Sequence, residues 1–261
     1  MLGSTFYHET IRKCVIGFGT LFNDIHITRK DSSGNTVQSM KVPLAYGPKQ
    51  KFLVRLREDP NNTKSVTMTL PRIGFEIGTI AYDPTRKLNK IQKVKKPGTA
   101  GNKVDSQYMP VPYNIDFELY AMSKNSDDAL QIVEQILPYF QPEYTITIND
   151  IVQMNNKRDV PIILTGITYE DNYEGDFAER RAIIYTLSFT AKAYLYGPVT
   201  SGQVITKVQV DQFSDSATAA PKREQRYTVT PDPATADFDD DFGFNETTSF
   251  FEDAKTFNPT T

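Results

Sequence analysis

His8-Glu9 opens like the zinc-protease helix signature, in which a second histidine one turn later completes the metal site. Here Arg12 stands in that place. His26 is the remaining histidine and Cys14 the single cysteine. A structural zinc site draws four ligands from cysteine and histidine, so this chain would have to recruit carboxylates. A nucleophilic cysteine needs a base, and His8 is the nearby candidate; a buried thiol on a helix is the simpler reading of Cys14. Gly17-Phe18-Gly19 and Gly98-Thr99-Ala100-Gly101 are too short for phosphate loops and lack the Lys-Ser/Thr that follows. Asp237, Asp239, Asp240 and Asp241 could attract cations. Phe238 and Phe242 interrupt them, and the glycine and terminal glutamate of a calcium loop are missing. No catalytic residue, metal site or cofactor is therefore expected, and an enzyme is the weakest of the function classes.

Two charged segments remain. Between Asp83 and Asp105 the chain carries Arg86, Lys87, Lys90, Lys93, Lys95, Lys96 and Lys103 without one acid. Residues 84–107 read as a long basic loop or an extended hairpin, and unstructured loops of such length are usually functional. Clustered bases suit a solvated surface, phosphate contacts, or an acidic protein surface. Only Tyr82 and Tyr108 flank the run, which disfavours single-strand binding by interleaved aromatics. From Ser214 onward ten acids face four bases, in a chain whose net charge is −3, so an acidic segment follows a mildly basic body. Phe238, Phe242, Phe244, Phe250, Phe251 and Phe257 lie among those acids and look like docking residues on an arm without its own core.

The elements that hold these segments follow from periodicity. Tyr7 to Phe22 reads as a helix with Ile11, Val15 and Phe18 on one side, weakened by Gly17 and Gly19. Ile25 to Thr28 and Val37 to Leu44 flank the turn Asp31-Ser32-Ser33-Gly34-Asn35 and form a hairpin. Phe52, Leu53 and Leu56 suggest a short helix before the loop Asp59 to Asn62. Strands are expected at Val66 to Leu70, Ile73 to Tyr82, Tyr113 to Tyr120, Tyr144 to Ile148, Ile162 to Tyr169, Ala182 to Tyr196 and Val204 to Val210. Asn172 to Asp176 turns between two of them. Ser126 caps a helix whose apolar face is Leu130, Val133 and Leu137, and Pro138 ends it. The fold class is α+β: a mixed, mainly antiparallel sheet flanked by a few short helices. The body spans 1–213, and an extended acidic C-terminal arm spans 214–261. Met1 to Thr20 carry no long apolar run, so neither a signal peptide nor a membrane span is expected there. The lone cysteine suits a reducing compartment.

Several stretches, in order, resemble one family. They are Leu70-Pro71-Arg72-Ile73, Tyr82-Asp83-Pro84-Thr85-Arg86-Lys87, Ser106-Gln107-Tyr108, Glu134 to Pro142 (EQILPYFQP), Arg158-Asp159-Val160-Pro161 and the Arg180-Arg181 pair. The chain is similar, from the first helix to about Tyr196, to the tail sheath stabiliser and completion proteins of T-even-like contractile-tailed phages. That resemblance implies a structural virion protein, a homo-hexamer forming a terminator ring at the head-proximal end of the tail. Its implied partners are the tail sheath protein, the tube terminator and the neck proteins, with DNA passage through the lumen and no membrane. It would be made in the host cytoplasm and end in the virion tail and neck. Arg86, Lys87, Lys90, Lys93, Lys95, Lys96, Arg158, Arg180 and Arg181, with Phe238, Phe242, Phe244, Phe250 and Phe251, are the expected interface residues. Two alternatives stand beside this reading. One is a nucleic-acid-binding module using residues 86–96, and the other is a neck protein on the head side.

Overall fold

The structure, a computed structural model, describes residues 5–57, 69–98, 103–151, 154, 156–172, 182–213, 223–237 and 239–251. The loop expected at Asp59 to Asn62, residues 66–68 of the strand expected over Val66 to Leu70 and residues 173–176 of the expected turn lie outside them, and Thr69 and Leu70 are not in a strand. The chain divides into two compact units, Met1–Asn89 with Pro110–Tyr196, and Lys90–Met109 with Gly197–Thr261. The second unit thus takes in the 90–109 segment and the residues from Gly197 onward.

The first unit holds helix α1 (Thr10–Leu21), strands β1 (His26–Lys30), β2 (Thr36–Lys41) and β3 (Leu44–Tyr46), helix α2 (Lys49–Arg57) and strand β4 (Arg72–Tyr82). In the second, β5 (Lys93–Pro97) and β6 (Lys103–Tyr108) form a hairpin. The chain then returns to the first unit with β7 (Val111–Ser123), α3 (Ser126–Ile136), β8 (Glu143–Ile151), β9 (Asn156–Asn172) and β10 (Ala182–Leu195). Four strands complete the second unit: β11 (Thr200–Gln203), β12 (Val208–Phe213), β13 (Arg223–Asp232) and β14 (Gly243–Phe250). The body is therefore mostly β-sheet with a few short helices, as an α+β class requires.

The central sheet runs β3-β4-β7-β10-β9-β8, antiparallel except for the β3–β4 pair. Alternation along β10 decides its two faces. Leu187 and Phe189 point into the main core, while Ile184 joins a smaller cluster with Phe52, Tyr120 and Met122 beneath α2. The main core lies on the face covered by α1, α3 and the β1–β2 hairpin. Phe18 is fully buried there, stacked on Phe117 at 4.4 Å and edge-on to Phe189 at 5.3 Å. Gly19, which with Gly17 weakens the helix by propensity, lets it come this close. A Cβ on Gly17 would sit 2.8 Å from Ile146, and one on Gly19 2.9 Å from Phe75.

Several boundaries differ from the sequence reading. The first helix starts at Thr10 because Glu9 adopts a left-handed conformation (φ 59°), which cannot continue a helix toward Tyr7. In α3 the buried apolar residues are Ala129, Ile132, Val133 and Ile136; Val133 belongs to the expected face, while Leu130 and Leu137 are exposed. Both stripes have helical spacing, and the one carrying two β-branched isoleucines and a small alanine faces the sheet. Ser126 is the first helical residue; Asn125 holds the cap position without a side-chain bond. The strand expected over Val204 to Val210 is instead β12, Val208–Phe213. The expected arm contains β13 and β14, which pair with β12 in a three-stranded antiparallel sheet. Thr and Val alternate along Tyr227 to Thr230, a strand signal that the surrounding Pro and Asp masked.

A further link was invisible in sequence. The Gln131 amide donates to Thr28 O at 3.0 Å and accepts from Thr28 N at 2.9 Å, and Gln135 donates to His26 O at 2.7 Å. Two side chains of α3 thus bond the edge of β1 that β2 leaves open, an arrangement that blocks edge-to-edge pairing. Arg29 ties the same strand to Asp128, which is buried at the helix start, at 2.7 Å. Replacing Gln131 by alanine should cost about 1–3 kcal/mol, because it strands two backbone groups. Chemical denaturation checks this; a loss under about 0.5 kcal/mol would show that the β1 edge is solvated instead.

Candidate interaction surfaces

The segment Glu134 to Pro142 builds a groove. Helix α3 ends at Ile136, a tight 3-10 turn covers Leu137–Tyr139, and Pro138 prevents the helix from continuing. The chain then doubles back so that Phe140 packs on Phe189 at 5.0 Å and lies parallel to Phe22 at 6.3 Å. An open groove of about 540 Å³ is left between the end of α1 and this turn, floored by Phe22, Ile25 and Phe140. Asp24 and Glu134 stand at its rim, and Tyr139 is largely exposed beside it.

Two of the expected interface residues meet around one ring. Arg86 stacks over Tyr194 at 5.0 Å and Arg158 over the same ring at 4.3 Å. Arg86 also donates to Asp83 at 2.7 Å, Asn114 Oδ1 at 2.8 Å and Tyr113 O at 3.2 Å. The Arg86 guanidinium and the Thr85 hydroxyl hold the Asp83 carboxyl well below the usual carboxylate range. Arg86 is thus committed within its own chain.

The lysines lie elsewhere. In the β5–β6 hairpin, Lys93 and Lys95 share a face with Tyr108, and Lys93 lies 4.4 Å from the centre of that ring. Lys96 is on the opposite face, across from Asp105. Lys87 and Lys90 are exposed outside the hairpin. Arg180, Arg181 and Phe238 lie outside the described residues. Phe242 and Phe244 meet edge-on at 5.6 Å, Phe250 shares the Phe244 face of β14, and Phe251 packs under Arg223 at 4.0 Å on the other face. The sequence reading placed all of these on one loop and one arm. Strand alternation divides them.

Cys14 is buried, and burial with the nearby Asp150 carboxyl pushes its thiol up to about 12, so it stays protonated. No cluster of metal-ligating side chains occurs among the described residues, and no helix among them is long and apolar enough to cross a membrane. Asp150 is only 2 % exposed, and neither carboxylate oxygen has a hydrogen-bond partner among the described residues. Burial pushes it up to about 6; Arg158, Lys13 and His8 oppose the shift without cancelling it.

The family model described as "T4-like virus Myoviridae tail sheath stabiliser" matches residues 5–255. The "Tail completion protein gp15" of Enterobacteria phage T4 is 31 % identical over 229 residues, covering 84 % of this chain and 82 % of that protein. The chain belongs to the T4-like tail sheath stabiliser family, a family of structural phage tail proteins.

Asp150 gives a pH prediction. Its folded pKa lies above the ordinary carboxylate value of about 3.9, so the folded state holds the proton more tightly. That contribution to stability is complete below about pH 4 and is lost as pH rises through 6. Asp150→Asn should therefore gain on the parent protein across this window, by roughly 1–3 kcal/mol at pH 7. Thermal melts of both proteins from pH 4 to 7.5 check it; parallel curves would mean that Asp150 is solvated.

Proposed function

We propose that this chain is a tail terminator: six copies close into a ring on the head-proximal end of a contractile tail. There the ring holds the last sheath ring and the tube terminator and presents a docking surface to the neck. Family membership over nearly the whole chain is the observation that carries this reading. The exposed surfaces support it, since both units carry apolar residues open to solvent that an assembly could cover.

The physics of such a cap is mass action. An extended sheath is metastable, and its last ring has interfaces with nothing above them. A ligand that binds only the extended form stabilises it by RT ln(1 + [L]/Kd), about 2.7 kcal/mol at a concentration of 100 Kd. A closed ring uses two different faces of each subunit, so closure sets the copy number. The basic hairpin and the phenylalanines of β14 supply charged and apolar contacts to ring or tail neighbours. Such a ring leaves a lumen for DNA, and its place is the virion tail after assembly in the host cytoplasm.

The basic face of the hairpin, with Tyr108 beside Lys93 and Lys95, favours one other reading, a nucleic-acid-binding module. Native mass spectrometry and negative-stain imaging of the purified protein, alone and with purified tails, separate the two. The terminator reading expects six-fold rings, on tail ends if not in isolation, and sheaths that stay extended for longer. A monomer that ignores tails but binds DNA with a steep salt dependence would replace it.

A further inference from the structure

The β12–β13–β14 sheet is amphipathic and open on its apolar side. Its register pairs Val208 with Val229, Val210 with Tyr227, Pro231 with Phe244 and Gln225 with Phe250, which sets these side chains on one face, with Glu246 across from Val229 and Thr248 across from Tyr227 among them. The other face carries the Asp211–Arg226 ion pair, bonded at 2.6 and 2.8 Å. On the apolar face Phe244 is 66 % and Phe250 73 % exposed, and Val208 and Val210 are about half exposed. A sheet of three strands needs a packed hydrophobic face to be stable, so this one is built to be covered.

Charge selects what covers it. The connection from Asp232 to Gly243, beside Phe244, holds Asp232, Asp237, Asp239, Asp240 and Asp241 and no base. The occupant must be apolar and basic. This chain carries such a surface: Lys93, Lys95 and Tyr108 on one face of the β5–β6 hairpin, all exposed. Both surfaces are open within a single chain, so they do not cover each other there.

We propose that the β5–β6 hairpin of one copy seats on the apolar, acidic-edged β12–β13–β14 face of the next. The two surfaces differ, so the contact is head-to-tail and repeats until a ring closes. This rests on the ring reading above and names the surface that makes the ring.

Charge reversal tests it. One full-length variant carries Lys93→Glu with Lys95→Glu. The other carries Asp237→Lys, Asp239→Lys and Asp241→Lys, so that lysines outnumber the remaining acids of the connection, and spares Asp240, whose carboxylate accepts from the Asp237 amide. Each variant alone should lose ring assembly, with subunit association weakened at least about tenfold, since like charges then face each other. Equimolar mixing should restore rings in which the variants alternate, because each mixed contact is again complementary; that rescue also shows both variants to be folded. Rings of parental stability in both single variants, or no rescue on mixing, would overturn the surface while leaving the ring reading intact. A parent protein that forms no ring alone or on tails would overturn both. Loss of tail binding by either variant with its rings unchanged would assign the surface to a tail partner and overturn the proposal.

Discussion

Phe18 reaches Phe75, Phe117 and Phe189 from a helix lying almost against the sheet, and the first unit is organised around that contact. A buried aromatic of this size removes a large apolar area from water, and its truncation typically costs ~3–5 kcal/mol. The close approach uses the space at Gly19, where a side chain would press into the Phe75 ring, whereas one at Gly17 would meet only the end of the Ile146 side chain. Phe22 extends the cluster to Phe140, which holds the turn after α3 in place. The groove under that turn is thus a consequence of core packing, and the EQILPYFQP run is at once core and surface.

Much of this was legible in the sequence. Periodicity gave the long strand over Ala182 to Tyr196, the Asp31–Asn35 turn gave the β1–β2 hairpin, and Pro138 gave the end of α3. Other features depended on tertiary choices that one sequence does not encode locally. Two apolar stripes on α3 have the same helical spacing, and only the shape of the sheet selects Ile132 and Ile136 over Leu130 and Leu137. Gln131 and Gln135 look like solvated residues until β1 is placed beside them. The glycines of α1 read as helix weakeners because their use is a distance to another element.

Composition misled most in the C-terminal segment, where Asp, Pro and Thr imply a chain that buries too little to fold. The structure resolves this by giving the segment strands whose apolar side chains remain on the outside. A sheet with one open face is poorly stable alone and well suited to a protein that works as part of an assembly. Strand alternation also explains why the lysines and phenylalanines separate: residues adjacent in sequence serve opposite faces. Arg86 and Arg158 are drawn inward to Tyr194, leaving Lys93 and Lys95 as the basic surface of the hairpin.

Locating the protein in the intact particle tests the terminator role most directly. Electron microscopy of virions carrying an epitope or gold-binding tag on this chain should place label at the junction of tail and head. A reconstruction there should show a six-fold ring resting on the last sheath ring. Label at the baseplate, along the sheath, or on the capsid side of the neck without sheath contact would contradict the terminator reading.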